Sequence, residues 1–211
     1  EILDRLTEAY RRLRNTFRYL LGNLYDFNPL EDTVSYQDLL ELDKWAFHQL
    51  QELTEKVIGS YQRFEYHSIY QAIYNFCVLT LSSFYLDVLK DRLYTTPFNS
   101  KERRSAQTAL SEILECLVRL VAPIIPFTAD EIWGYTPKKE KSISIHTDLF
   151  MPAREELKDS ALIERWDVIL NVRKEVTKAL ELARNDKIIG HSLDATVSLA
   201  LPHSLLQGLK D

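Results

Sequence analysis

Cysteine and glycine are scarce, with 2 and 5 occurrences in 211 residues. The two thiols, Cys77 and Cys116, each sit inside an apolar helical run, NFCVLTL and EILECLVRL. They supply neither a disulfide framework nor a cysteine-rich zinc site, and the expectation is two buried free thiols. The glycines form no phosphate-cradling loop, and no nucleophile–base pair or paired acid stands out, so no catalytic centre is expected. His48, His67, His146, His191 and His203 share no ligand spacing with Cys, Asp or Glu, and no metal site is expected. Long apolar runs are missing too. None is expected to approach the ~18 residues of a membrane span and no signal peptide is visible, which points to a cytoplasmic chain without membrane contact. A net charge of -5 argues against a surface coated with positive charge but leaves room for a local basic stripe.

What the chain has is helical periodicity. Apolar residues from Leu3 through Leu6, Leu13, Phe17, Leu20 and Leu24 recur at three- and four-residue steps, predicting one long amphipathic helix that ends at Asp26-Phe27-Asn28-Pro29. A second helix is expected from about Leu39 to Glu65. A third starts near His67 and passes through Ile69, Ile73, Phe76, Thr80, Phe84, Val88 and Leu93, antiparallel to the second. Ser100 is the expected N-cap of a fourth. Pro123 and Pro126 interrupt it, and Thr128-Ala129-Asp130-Glu131 has the spacing of a capping box opening a short helix to Tyr135.

The expected fold class is therefore mainly α: a helical bundle over 1–135, an extended irregular connector over 136–158, and a C-terminal junction over 159–211. The junction combines a further long helix, about Ser160 to Asn185, with a turn at Gly190 and a strand over Leu193 to Leu201, the start of a small α/β or β element. A lone strand lacks partners for its hydrogen bonds, and Glu1 already lies inside a helical pattern, so a piece of a longer protein is expected.

The stretch YRRLRNTFRYLLGNL concentrates positive charge. At about 100° per residue, Arg11, Arg14, Asn15 and Arg18 fall opposite the apolar side of the first helix, with Arg12 on its flank. Such a ridge suits surface ion pairs with neighbouring carboxylates or a phosphate track, since arginine forks match phosphate oxygens and Asn15 can read a base edge or a 2'-hydroxyl. Spacing alone leaves both open, as it does an acidic protein partner on a helical scaffold.

YRRLRNTFRYLLGNLYDFNP resembles the opening helix of the anticodon-binding region in class I aminoacyl-tRNA synthetases of the Ile/Val/Leu group. Further matches follow in order: ELDKWAF, SFYLDVLKDRLY, RRSAQTAL, LVRLVAPIIPFTADEIWGY and VRKEVTKALELARNDKIIGHSL. Arg14-Asn15-Thr16 is similar to the isoleucine branch rather than the valine or leucine ones, which stay as alternatives. The resemblance implies a part that holds the anticodon arm of tRNA(Ile) for a catalytic domain elsewhere in the same chain, in a monomeric ligase of protein biosynthesis. ATP and magnesium would belong to that domain. No cofactor and no aminoacylation activity are expected here, since Ile188-Ile189-Gly190-His191 lacks the first histidine of the family's H-I-G-H signature and the K-M-S-K-S signature is absent.

Arg11, Arg12, Arg14, Asn15 and Arg18 are thus the first candidates for tRNA contact. Arg103, Arg104 and Gln107 join them because cations at a helix start oppose its dipole and call for an external anion. Lys90 and Arg92 either face the catalytic domain or merely suit a helix C-terminus. Lys174, Lys178, Arg184 and Lys187 form a basic line interleaved with Glu175 and Glu181, where salt pairs or tRNA contact are expected. Trp45, Trp133 and Trp166 lie on apolar stripes and are expected in the core.

Overall fold

A computed structural model describes residues 2–137, 142–200 and 202. They form two compact units, Glu1–Lys158 and Asp159–Asp211. The first is a helical bundle of α1 (Ile2–Gly22), α2 (Glu41–Gln62), α3 (Tyr66–Asn75), α4 (Leu86–Thr95), α5 (Lys101–Val121) and α6 (Pro126–Tyr135).

α5 is the central helix, packing on α1, α2, α4 and α6. Its Ala106, Ala109, Leu110, Ile113, Leu114 and Leu117 are wholly enclosed. Burial of each such leucine or isoleucine contributes about 1.5–3 kcal/mol, which is what holds the layers together. Ser100 caps it as expected, its hydroxyl accepting from the Arg103 amide at 3.2 Å. α1 lays Leu13, Phe17 and Leu20 against this core. It stops at Gly22, four residues before the predicted Asp26 break, because the Asn23 side chain turns back to donate to the Tyr19 carbonyl at 2.9 Å. Leu24 and Phe27 then tuck into the core.

Between α3 and α4 the chain stays helical but widens to π-type spacing over Phe76–Tyr85. The Ser82 hydroxyl donates to the Cys77 carbonyl five residues back, at 2.8 Å. The wider turn moves the inward face on by one residue. Leu81 and Leu89 are fully buried where the regular period selected Thr80 and Val88, and Val88 is exposed. The whole run Tyr66–Thr95 is apolar and long enough by composition to cross a membrane, contrary to the expectation that no stretch comes close. Half of its apolar window is buried within the protein, as suits the core helix of a bundle.

α6 also differs from expectation. Pro126 occupies its first turn, where a fixed φ and a missing amide hydrogen suit a helix start. Thr128 therefore lies inside the helix and shares a 2.8 Å hydrogen bond with the Tyr10 hydroxyl, so no capping box forms. The described part of the following segment crosses the bundle without strands. Ile145 and Leu157 are buried, Arg119 pairs with Asp148 at 3.0 Å, Phe150 stacks on Tyr61, and Lys158 reaches Glu55 at 2.7 Å.

Both cysteines are buried and free, and burial pushes the Cys77 thiol up to about 12 and the Cys116 thiol to about 11. Trp45 and Trp133 are core residues, the latter donating to the Ser142 carbonyl at 3.1 Å. Trp166 is only half-buried.

The second unit holds α7 (Ser160–Asn185), started by the Asp159 carboxylate accepting from the Leu162 amide. It ends with Lys187 in the left-handed region, φ 58°, and the Ile188 amide bonded to the Ala183 carbonyl at 2.9 Å. The turn thus begins at Lys187 rather than Gly190. The expected strand is not formed among the described residues. Ser192–Asp194 make a single 3-10 turn, Ala195 after it is extended, and the residues from there through 200 have no regular structure. Unpaired backbone of this kind has no ladder to join. Leu201 and His203 lie outside the described residues.

Candidate nucleic-acid interface

The amphipathic period of α1 turns Arg11, Arg12, Arg14, Asn15 and Arg18 outward, and all five are exposed. Two carboxylates answer four guanidinium groups. Glu8 takes both Arg11, at 2.6 Å, and Arg12, at 3.1 Å. The Arg12 hydrogen bond, with Arg11 adding to it, holds the Glu8 carboxyl below its ordinary range. Arg14 forms a two-pronged pair with Glu131 of α6, which lowers the Glu131 pKa and raises that of Arg14. Arg18 has no carboxylate partner among the described residues, and the Asn15 side chain makes no hydrogen bond there. The ridge keeps a net positive charge, concentrated at Arg18.

Arg18 stands between two clefts. One, of about 640 Å³, lies between α1 and the end of α4, lined by Asn15, Arg18, Tyr25, Tyr94 and Phe98 among others. The second, of about 490 Å³, lies between α1 and α6, lined by Arg14, Arg18, Leu21, Tyr25, Ile132 and Tyr135 among others. Both fall in the ~300–1,000 Å³ range of small-ligand clefts. Their aromatic rims face solvent: Tyr25 is 72%, Tyr94 64%, Phe98 54% and Tyr135 75% exposed. Exposed aromatic rings beside an unpaired guanidinium are what single-stranded nucleic acid needs, a π-face for each base and a cation for the phosphate.

These four rings were not singled out by sequence reasoning, which followed charge and period along α1. All four sit where helices end, Tyr25 after α1, Tyr94 near the end of α4, Phe98 in the turn before α5 and Tyr135 as the last residue of α6. Large aromatics clustered at helix ends were the available signal.

Several predicted contacts are used inside the protein instead. Arg103 is buried, bonded to the Leu93 carbonyl and to Asp26 at 3.0 Å. Arg104 reaches Asp26 and Asp32, each at 3.3 Å. Gln107, fully buried, donates to the Asn23 carbonyl and to Asp26. The anion that these groups were expected to seek outside is therefore internal: Asp26, brought over them by the turn after α1. Arg92 is likewise taken inward, held by both oxygens of the buried Asp43 at 2.9 Å, with Tyr85 and Ser105 on the same carboxylate. Lys90 makes an exposed pair with Asp87 at 2.8 Å, three residues away on its own helix. In the second unit Lys174, Lys178, Arg184 and Lys187 are exposed. None has an ion-pair partner among the described residues, so the expected salt pairs with Glu175 and Glu181 do not form. Lys187, lying past the helix end, leaves that line.

Comparison with known proteins accords with this surface. Residues 43–199 match the family described as the anticodon-binding domain of tRNA ligase. The isoleucine–tRNA ligase of Syntrophotalea carbinolica is 54% identical over 202 residues, 96% of this chain and 22% of that protein. That of Geobacter sulfurreducens is 54% identical over the whole chain and 23% of its own length, and that of Desulfitobacterium hafniense 47% identical over 98% and 22%. The chain thus spans about a fifth of the length of the curated relatives it matches, and valine or leucine ligases are not favoured by these likenesses. With a match covering most of its length, the chain belongs to the anticodon-binding domain family of tRNA ligases.

Proposed function

We propose that this chain is the tRNA-recognition part of an isoleucine–tRNA ligase and that it grips the anticodon arm of tRNA(Ile) across the exposed face of α1. Arg18 and Asn15 engage the sugar–phosphate backbone and base edges, while Tyr25, Tyr94, Phe98 and Tyr135 offer stacking faces. Arg11, Arg12 and Arg14 exchange their exposed carboxylate partners for phosphate. Such pairs hold little free energy at a wet surface, so a polyanion can displace them. Lys174, Lys178 and Arg184 of α7 supply further phosphate contacts. Catalysis, with its ATP and magnesium, belongs to another domain of the same monomeric cytoplasmic chain.

The observation that carries this reading is the Arg18 guanidinium, without a carboxylate partner among the described residues, between two aromatic-rimmed clefts in a chain 54% identical to the matching fifth of isoleucine–tRNA ligases. The test is a titration of the full-length protein with tRNA(Ile) transcripts and with the same transcripts carrying a foreign anticodon loop. Tighter binding of the native loop is expected; equal affinity for both, or for unrelated hairpins, would contradict it.

A further inference from the structure

The two clefts beside Arg18 differ in chemistry. The one between α1 and α4 is lined by Asn15, Tyr19, Asn23, Thr96 and Arg103, side chains able to hydrogen-bond. The one between α1 and α6 has a hydrocarbon floor of Phe17, Leu21 and Ile132, of which Phe17 and Ile132 are buried and Leu21 half-buried. Its walls are the largely exposed rings of Tyr25 and Tyr135. That floor offers no partner to a polar group, and a polar group enclosed without one costs free energy. The cleft is therefore matched to a hydrocarbon body.

Charge enters only at the rim. Arg14 and Glu131 span the mouth in their two-pronged pair and neutralise one another. Arg18 lies on the same rim with no carboxylate partner among the described residues, which leaves the cleft one uncompensated positive charge. The ion pair, at 2.7 and 3.1 Å, joins α1 to α6, and Phe98 braces Tyr25 edge to face at 6.2 Å. The cavity of about 490 Å³ thus stands open before any ligand arrives. A preformed apolar cavity of this size, with a few polar groups at its edge, is the ordinary form of a small-molecule site.

We propose that the cleft between α1 and α6 binds a small amphipathic acid, a compound with an aromatic or branched hydrocarbon body and one carboxylate or sulfonate. The body lies over Phe17, Leu21 and Ile132 between the two tyrosine rings, and the acid group takes Arg18. One negative charge matches the one spare cation, and a second would meet Glu131. Because the proposed tRNA contact uses the same guanidinium, acid and tRNA exclude one another. That exclusion, though not the site itself, rests on the tRNA reading above.

The probes are anilinonaphthalene sulfonate, which joins two aromatic ring systems to one negative charge and fluoresces when enclosed, and N-phenylnaphthylamine, the same body without the charge. Both are titrated into full-length protein and into Arg18→Gln, Tyr135→Ser and Lys56→Gln, all three changed at exposed positions and the last removing a cation from α2. A saturable sulfonate site is expected, weakened about fivefold in Arg18→Gln, the scale of one exposed ionic contact, weakened also in Tyr135→Ser, and unchanged in Lys56→Gln. The uncharged probe is expected to respond to Tyr135→Ser and not to Arg18→Gln. Glu131→Gln leaves the rim more positive and is expected to tighten the sulfonate alone. Sulfonate binding unaltered in both Arg18→Gln and Tyr135→Ser, or equal losses of the two probes in Arg18→Gln, would overturn the site. Added tRNA(Ile) is expected to displace the sulfonate. Sulfonate that stays bound at saturating tRNA would leave the site standing and overturn the part of the tRNA reading that runs through Arg18.

Discussion

Arg14 and Glu131, 117 residues apart in the chain, meet in a two-pronged ion pair at 2.7 and 3.1 Å that ties α1 to α6 at the mouth of a cleft. Both side chains are about half exposed, so the pair restrains Arg14 without sealing it. Glu131 is thereby the nearest competitor of an incoming phosphate. Glu131→Gln is expected to leave the fold intact, to tighten tRNA binding at low salt, and to steepen the dependence of log affinity on log salt by roughly 1, the increment for one more neutralised phosphate. Titrations at four salt concentrations check this.

Asp43 is fully buried and joins three elements, accepting from Tyr85 of the π-helical run, Arg92 of α4 and Ser105 of α5. Removing its charge leaves the Arg92 guanidinium largely enclosed without a counter-ion. Asp43→Asn is expected to destabilise the bundle by about 3–5 kcal/mol, read as a lower urea midpoint at unchanged slope.

Phe64 has φ 58° just after α2, with the Glu65 amide bonded to the Ser60 carbonyl at 2.9 Å. That is the position glycine usually fills, and an exposed phenylalanine there is strained. Phe64→Gly is expected to stabilise the protein by about 0.5–1 kcal/mol, less the small contact with the Tyr66 ring. Thermal unfolding of the variant against wild type decides it.

Burial pushes the Glu112 carboxyl above its ordinary 4.5, with Glu115 adding to the rise and Arg154 opposing it. The folded protein thus holds this proton more tightly than the unfolded chain. The group's favourable contribution is fully present below about 4.5 and is lost as pH rises through the raised value. Glu112→Gln does not titrate, so its stability relative to wild type is expected to grow as pH rises from 4 to 7. Urea unfolding across that range measures the sign.

Much of this architecture was legible because period and punctuation agree along the chain. Ser100 caps the helix that follows it, and Leu13, Phe17 and Leu20 face inward as their spacing requires. The π-type run was not legible: a register shift at Leu81 depends on how α1 and α2 close around it, and side-chain period says nothing of that. Thr128 and Glu131 carry a capping pattern but are claimed by Tyr10 and Arg14 from a helix more than a hundred residues away. The same long-range pairing explains the site. The outward face of α1 follows from its period, whereas Asp26 closing over Arg103, Arg104 and Gln107, and Asp43 over Arg92, arise only when the turn after α1 and the start of α2 fold across α4 and α5. Charge in a sequence shows where a cation stands but not which carboxylate the fold delivers to it.

The most direct test of the account is the salt dependence of tRNA(Ile) binding by full-length protein in wild type, Arg18→Ala and Arg104→Ala. Arg18→Ala is expected to weaken binding and to lower the log–log salt slope by roughly 1, while any effect of Arg104→Ala falls on unfolding and not on that slope. A slope unchanged by Arg18→Ala would contradict the claim that this exposed guanidinium on α1 grips phosphate.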